Sequence, residues 1–366
     1  MRFIDCISLT GEACKVYGGN KEYISTGAVD VDHIDRDQIE MVDYYSKPSR
    51  ANLITDDKSI LFAKMQGTRK VLLINQELEK KIYSTGFFSV APKNNILNKR
   101  CLYHLLGSKT FLSQKDKYCS GATQKAITLE GLKKIEVTVP NLEEQDNIAK
   151  ILDITKNILE SYKKELDYYD GLVKARFIEM FIAPDSISEW PCCTISDLCK
   201  DMRTGPFGSA LHHDEFVDSG VFVLGIDNAV ENKFSYNRMR YITEEKYQQL
   251  KRYTVYPGDV IITIMGTVGR SAVIPADIPT AINTKHLACI TPNVEMVNAQ
   301  FLACVIQMHP DIRMQLQKQC KGAIMDGLNL KIIKRLSFCV PPVNLQNQFV
   351  EFYTQVDKSK VIVSWI

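Results

Sequence analysis

The chain has 366 residues, 45% hydrophobic and 24% charged, with a formal net charge of +2, so two domains with full-sized cores fit within it. No apolar run approaches the roughly 18–20 residues that a membrane span needs, and Met1-Arg2-Phe3-Ile4-Asp5 lacks the apolar core of a secretion signal. These features exclude a helical membrane protein and point to a cytoplasmic one, and a charge so close to zero does not by itself announce a nucleic-acid partner.

The first strand-like run is Ile60-Leu61-Phe62-Ala63-Lys64-Met65, which leads into a turn at Gln66-Gly67-Thr68, with Arg69 and Lys70 just beyond. Phe87–Pro92 reads as a second strand and Leu102–Phe111 as a helix. Nine Lys or Arg fall between Lys93 and Lys134, among them Lys115, Lys117 and Lys125, against only Asp116 and Glu130. Next comes a segment that recurs: residues 121–145 reappear at 322–346, shifted by 201 positions, with seven identities in 25. The identical pairs are Gly121/Gly322, Ala122/Ala323, Leu129/Leu330, Lys133/Lys334, Val139/Val340, Pro140/Pro341 and Gln145/Gln346. So long a period signals two copies of one domain, not a solenoid of short repeats.

From Glu143 to Phe181, apolar residues at Ile148, Ile151, Leu152, Ile158, Leu159, Tyr162, Leu166, Tyr169, Leu172, Val173, Phe177 and Met180 form one stripe at three- and four-residue steps. A helix of about 38 residues would measure about 57 Å. That is too long for a single compact core, and the expectation is a coiled-coil spacer. Pro140 sets its start and Pro184 lies just past its end.

The second copy follows the same order. Gly205-Pro206-Phe207-Gly208-Ser209-Ala210-Leu211 is a glycine-rich turn, either structural or a phosphate contact through Ser209; it fits no nucleotide-loop pattern. His212-His213-Asp214 looks metal-like, but adjacent histidines on a strand point to opposite faces, which favours polar surface or a DNA contact. Val260–Met265 leads to Gly266-Thr267-Val268-Gly269-Arg270, His286–Pro292 is the second strand, and Gln300–Gln319 the helix. Six Lys or Arg stand between Arg313 and Arg335 against Asp326 alone. Basic segments in matching parts of both copies fit paired phosphate-contacting surfaces. Phe349, Phe352, Tyr353 and Val356 then begin a second copy of the long helix, which stops by Ile366, where the first copy's measure would carry it to about position 382. Eleven cysteines show no C-x-x-C spacing, so reduced thiols are expected, with no metal site and no cofactor.

Val139-Pro140-Asn141-Leu142-Glu143-Glu144-Gln145, followed by Ile148-Ala149 and Ile151-Leu152, resembles the proline-proline-leucine-x-glutamate-glutamine turn that opens the conserved helix of type I restriction-modification specificity (S) subunits. Val340-Pro341-Pro342-Val343-Asn344-Leu345-Gln346 is a second instance. Lys174–Phe181 resembles the usual end of the central helix in that family, and Gly205–Leu211 a segment near the start of its recognition domains. The resemblance covers nearly the whole chain. It implies an α/β fold: target-recognition domains over 1–141 and 184–342, a central spacer helix over 142–183, and a shortened C-terminal helix over 343–366. Two antiparallel coiled-coil helices would hold the domains apart, and each domain would read half of a split double-stranded DNA site. Methyltransferase subunits, two of them, would dock on the helices and bring restriction subunits through the complex.

The residues expected at DNA are Gln66, Thr68, Arg69, Lys70, Lys115, Lys117, Gln124 and Lys125 in the first copy. In the second they are Gly205, Phe207, Ser209, Thr267, Arg270, Lys285, His286, Lys318 and Lys321. Gln124 suits adenine, and Lys or Arg suits guanine or phosphate. Ile148, Leu152, Leu159, Tyr162, Leu166, Tyr169, Val173 and Phe177 form the expected partner-binding helix face. No Asn-Pro-Pro-Tyr-type methyltransferase motif, glycine-rich adenosylmethionine loop or nuclease cluster is present, so no catalysis is expected. A coiled-coil adaptor, or a truncated subunit that does not read DNA, remains the alternative.

Overall fold

The computed structural model describes residues 1–93, 95–183, 189–207, 210–320 and 328–364. Two compact units, Met1–Ser161 and Tyr162–Ile366, divide within the helix Leu142–Phe181.

In the first unit a four-stranded antiparallel sheet runs Ile7–Leu9, Phe87–Pro92, Ile60–Ala63, Val71–Leu73. In the second the order is Cys199–Thr204, Leu287–Pro292, Val260–Thr263, Ser271–Val273. The register repeats as well: Ile60 faces Leu73 and Val90, as Val260 faces Val273 and Ile290. A second sheet in each unit is built on a parallel pair, Lys21–Ile24 with Ile82–Ser84 and Val221–Leu224 with Ala281–Asn283. This sheet had no clear sequence signature, because its first-unit strands are short and carry exposed polar residues such as Lys21 and Glu40.

Each expected helix is two. Lys99–Gly107 stops at Ser108, whose hydroxyl caps Lys109–Lys117 by accepting from Phe111 N. Ala299–Met308 stops before Pro310, which opens Pro310–Cys320, since proline suits a first turn but cannot continue a helix.

Two glutamines per unit then fix where the chain goes. Gln145 is buried; its Oε1 accepts from Asn98 N at 2.9 Å, and its Nε2 donates to Ile96 O and Pro140 O, both at 2.8 Å. Gln346 repeats this with Asn298 N, Met296 O and Pro341 O at 2.9, 3.1 and 2.8 Å. Asn98 and Asn298 each cap the helix that follows them. Upstream, Gln114 brackets Glu136 through its backbone N–H and C=O, and Gln315 does the same to Ser337.

The helix Leu142–Phe181 runs as one element of 40 residues, as its apolar stripe implies. Beyond Gln145 and Ala149 its first half meets the first unit through ion pairs: Asp153 with Arg100 and His104, and Lys156 with Asp32 and the Tyr103 hydroxyl. Burial pushes the Asp32 and Asp153 carboxyls up, but hydrogen bonds from Lys156 and Tyr103 to the former, and from His104 and Arg100 to the latter, hold both below the ordinary value. In the second unit the helix Val343–Ser364 packs on the later turns in the opposite direction. Phe349 lies 5.4 Å from Phe177 between ring centroids, while Lys360 pairs with Asp170. Val173, Phe177, Phe181, Phe301 and Phe349 thereby join the core of that unit.

Gln346→Leu is expected to destabilise the second unit by about 3 kcal/mol, because one N–H and two carbonyls are left unpaired out of water. Urea unfolding followed by tryptophan fluorescence reads this unit through Trp190, which packs against its core. A midpoint that does not move would remove the glutamine from the account.

Candidate nucleic-acid interface

In the first unit the strand Ile60–Ala63 runs out into a turn in which Gly67 adopts φ +73, a conformation that favours glycine. Lys115 lies beneath it, 1% exposed, donating to Met65 O at 2.8 Å and Thr68 O at 2.9 Å. Gly67 N and the Gln66 side chain reach Asp116, and Gln66 N donates to Lys125 O at 2.9 Å. The turn, the end of the helix Lys109–Lys117 and the loop before Ala126–Ile127 are therefore one connected rim. On it Gln66, Arg69, Lys117, Gln124 and Lys125 are exposed and Thr68 is half-buried. Arg69 lies against Gly107, where an added Cβ would sit 3.5 Å from its Nε.

Two expected contacts change role here. Lys115 is buried and its ammonium is spent on two carbonyls, so it supports the turn and does not face solvent; at the matching position of the second unit stands Leu316. Lys70 is half-buried and donates to Thr26 O at 2.7 Å. Sequence reasoning missed Lys64, whose ammonium donates to Thr85 O at 2.8 Å and lies 4.4 Å from the Phe88 ring centroid; burial lowers its pKa.

The second unit repeats the strand and the glycine turn. Gly266 and Gly269 have φ +71 and +82, Arg270 N donates to Thr263 Oγ1 at 3.0 Å, and Ile264 exchanges backbone bonds with His286 and Leu328. Thr267, Arg270 and Lys285 are exposed and His286 is half-buried. Arg270 borders a cleft of about 320 Å³ with Asn232, Gln307, Arg313 and Gln317. Burial, then the Lys285 and Arg240 cations, lower the His286 pKa, so at neutral pH it is a neutral hydrogen-bonding group. Phe207 is 56% exposed and Lys318 is exposed on the helix Pro310–Cys320.

Gly205 is buried, and an added Cβ would fall 2.2 Å from Thr284 C; it lets two backbones meet and does not present itself to a ligand. Ser209 and Lys321 lie outside the described residues. His212, His213 and Asp214 are exposed around the 3-10 turn His213–Glu215, not on the expected strand. Of the helix face, Ile148 and Leu152 are 40% exposed and Leu159 62%; Tyr162, Leu166 and Tyr169 are half-buried. Val173 and Phe177 are buried within the chain's own second unit, which takes them out of reach of a partner. Asp32, His33 and Glu160 approach one another closely enough to hold a cation, but the Lys156 ammonium already lies 2.5 Å from Asp32 and 3.6 Å from Glu160. No described helix is long and apolar enough to cross a membrane.

The family model described as "Type I restriction modification DNA specificity domain" matches residues 12–167 and again 188–363. The EcoBI type I restriction enzyme specificity subunit of Escherichia coli is 24% identical over 284 residues, 71% of this chain and 59% of that protein. The chain thus spans less than two thirds of that relative. The MjaVIII specificity subunit of Methanocaldococcus jannaschii is 20% identical over 297 residues, 76% of this chain and 68% of its own. Among solved structures, the type I restriction-modification S subunit from M. genitalium superposes with a TM-score of 0.58 at 16% identity, covering 98% of this chain and 89% of that one. A chain from work on complex assembly and conformational transition of the type I restriction-modification system gives 0.56 at 17% identity, covering 100% and 92%. At such identities these structures speak to the fold.

Lys115→Met should cost about 2 kcal/mol by stranding the Thr68 carbonyl and leaving Met65 O only the Thr68 hydroxyl, whereas Lys117→Ala on the exposed side of the same helix should leave stability within about 0.5 kcal/mol. Urea unfolding of the two variants side by side checks this, and equal midpoints would contradict the supporting role.

Proposed function

This chain belongs to the family of type I restriction-modification DNA specificity domains, of which it carries two copies, and from that premise we propose that it reads an asymmetric, two-block site in double-stranded DNA. One observation carries the reading: the same strand and glycine turn recur in both units, backed by matching bonds from Ile127 N to Lys64 O and from Leu328 N to Ile264 O, while the side chains around the turns differ. Gln66, Thr68, Arg69, Lys117, Gln124 and Lys125 are the groups that would face DNA in one; Phe207, Thr267, Arg270, Lys285, His286 and Lys318 are those in the other. A shared scaffold with different amide, guanidinium and ammonium groups suits two different short sequences, with Lys and Arg also serving phosphates.

In this reading residues 1–141 and 184–342 are the recognition domains, 142–183 the spacer helix, and 343–366 its antiparallel coiled-coil partner. The chain does no chemistry itself. It works in the cytoplasm, directing two methyltransferase subunits and, through the complex, restriction subunits. The exposed apolar face at Ile148, Leu152 and Leu159 suits a protein partner, being too apolar to favour water.

The test is selection from a random duplex library at physiological salt, followed by anisotropy titrations. A two-block site should emerge that outcompetes scrambled duplex. Arg270→Ala should weaken binding and relax only the block read by the second unit, or, if Arg270 serves a phosphate, reduce the salt slope by about 1. Equal affinity for scrambled DNA, or none for any duplex while a partner subunit still binds, would favour the adaptor reading.

A further inference from the structure

At the base of the second unit Cys192–Thr194 and Ser337–Cys339 pair antiparallel, with Cys192 opposite Cys339 and Cys193 opposite Phe338. Val340 N donates to Pro191 O at 2.9 Å, so residues 191 and 340 form a hydrogen-bonded pair. The next pair, Cys192 and Cys339, is then a non-hydrogen-bonded one, the position where facing side chains approach most closely. Cys193 alternates to the other face and packs on the unit's apolar core, so it does not compete. Both facing thiols are free, Cys192 exposed and Cys339 half-buried. The neighbouring Cys192 thiol, with burial, raises the Cys339 pKa to about 11.

We propose that Cys192 and Cys339 are a redox-responsive pair that peroxide closes into a reversible disulfide, joining the first and last strands of the second unit. Cys192 opens the first strand after the long helix, and Cys339 ends the last strand before Val343–Ser364. The bond therefore closes residues 192–339, the part of the second unit between its two helical segments, into one loop. In the first unit Thr138 stands at the position that Cys339 takes, 201 residues on, so the device belongs to one copy only.

The chemistry balances with hydrogen peroxide as oxidant. The exposed Cys192, as thiolate, attacks the O–O bond and becomes a sulfenic acid while one water leaves. The Cys339 thiol attacks that sulfur, the S–S bond forms, and the second water departs with the thiol proton. Two thiols give up two electrons and the peroxide bond accepts them. A non-hydrogen-bonded pair sets the Cα atoms about 4.5 Å apart, near the short limit of the roughly 4.4–6.8 Å that disulfides span. Cys192 is exposed, so small thiols can reach the bond and reverse the closure by thiol–disulfide exchange.

The full chain is treated with equimolar hydrogen peroxide, its remaining thiols are capped with N-ethylmaleimide, and peptides are mapped without reduction. A Cys192–Cys339 link should dominate, vanish with dithiothreitol, and raise the melting temperature of the oxidised chain by several degrees, since it restrains a long loop of the unfolded chain. Cys192→Ser, at an exposed position, should melt like the reduced wild type and gain nothing from peroxide. Linkage of Cys192 to another cysteine, Cys192 sulfinic acid with Cys339 capped, or a link without a rise in melting temperature would each overturn the proposal.

Discussion

A buried primary amide decides where each long helix leaves its domain. Gln145 and Gln346 each satisfy one backbone N–H and two carbonyls that would otherwise be stranded where the chain turns from sheet to helix. Only a carboxamide of this length offers one acceptor and two donors together; glutamate lacks the donors and leucine lacks both. The bonds are also long-range, tying the loop before one helix to the first turn of another. The direction of a 40-residue helix, and all that hangs on it, follows from that junction.

Around this fixed point the two copies have changed their interiors while keeping the register of their central strands. Thr10, Ser59 and Ser89 meet through hydroxyl bonds in the first unit, with Thr10 2.6 Å from Ser59 and 2.8 Å from Ser89. The matching residues of the second unit are Arg203, Asp259 and Cys289. There Arg203 donates to the buried Asp259 at 2.6 Å, and the Cys289 thiol lies 3.2 Å from the same carboxylate. A neutral cluster and an ion pair fill the same space, each with its polar atoms paired, which is the condition that burial imposes. Lys115 against Leu316 beneath the glycine turns is the same exchange. Scaffold positions can differ this far because the backbone pairing holds the rim, leaving its outward side chains at liberty to differ as two DNA half-sites would demand.

Much of this was legible in the sequence. The strands at Ile60 and Val260, the glycine turns after them, the duplication and the long helix all carry patterns that depend on local spacing. Gln145 and Gln346 appeared as an identity, though its meaning needed the fold. Gln114 and Gln315 share the same 201-residue offset and lay just upstream of the matched window, so extending it would have found them. The burial of Lys115, the capture of Lys70 by Thr26 and the packing of Gly205 on Thr284 were not legible, because each depends on a contact with a distant part of the chain. The second sheet was hidden for a related reason: its strands are two to four residues long and rely on tertiary pairing rather than on alternation.

The central claim is that one scaffold, used twice, reads two different blocks of DNA. Co-expressing the chain with a methyltransferase subunit and mapping N6-methyladenine across the host DNA tests it most directly. The account predicts a new methylated motif of two unlike short blocks around a gap of constant length. A motif of one block, or no new methylation from a folded chain that still captures the methyltransferase, would contradict it.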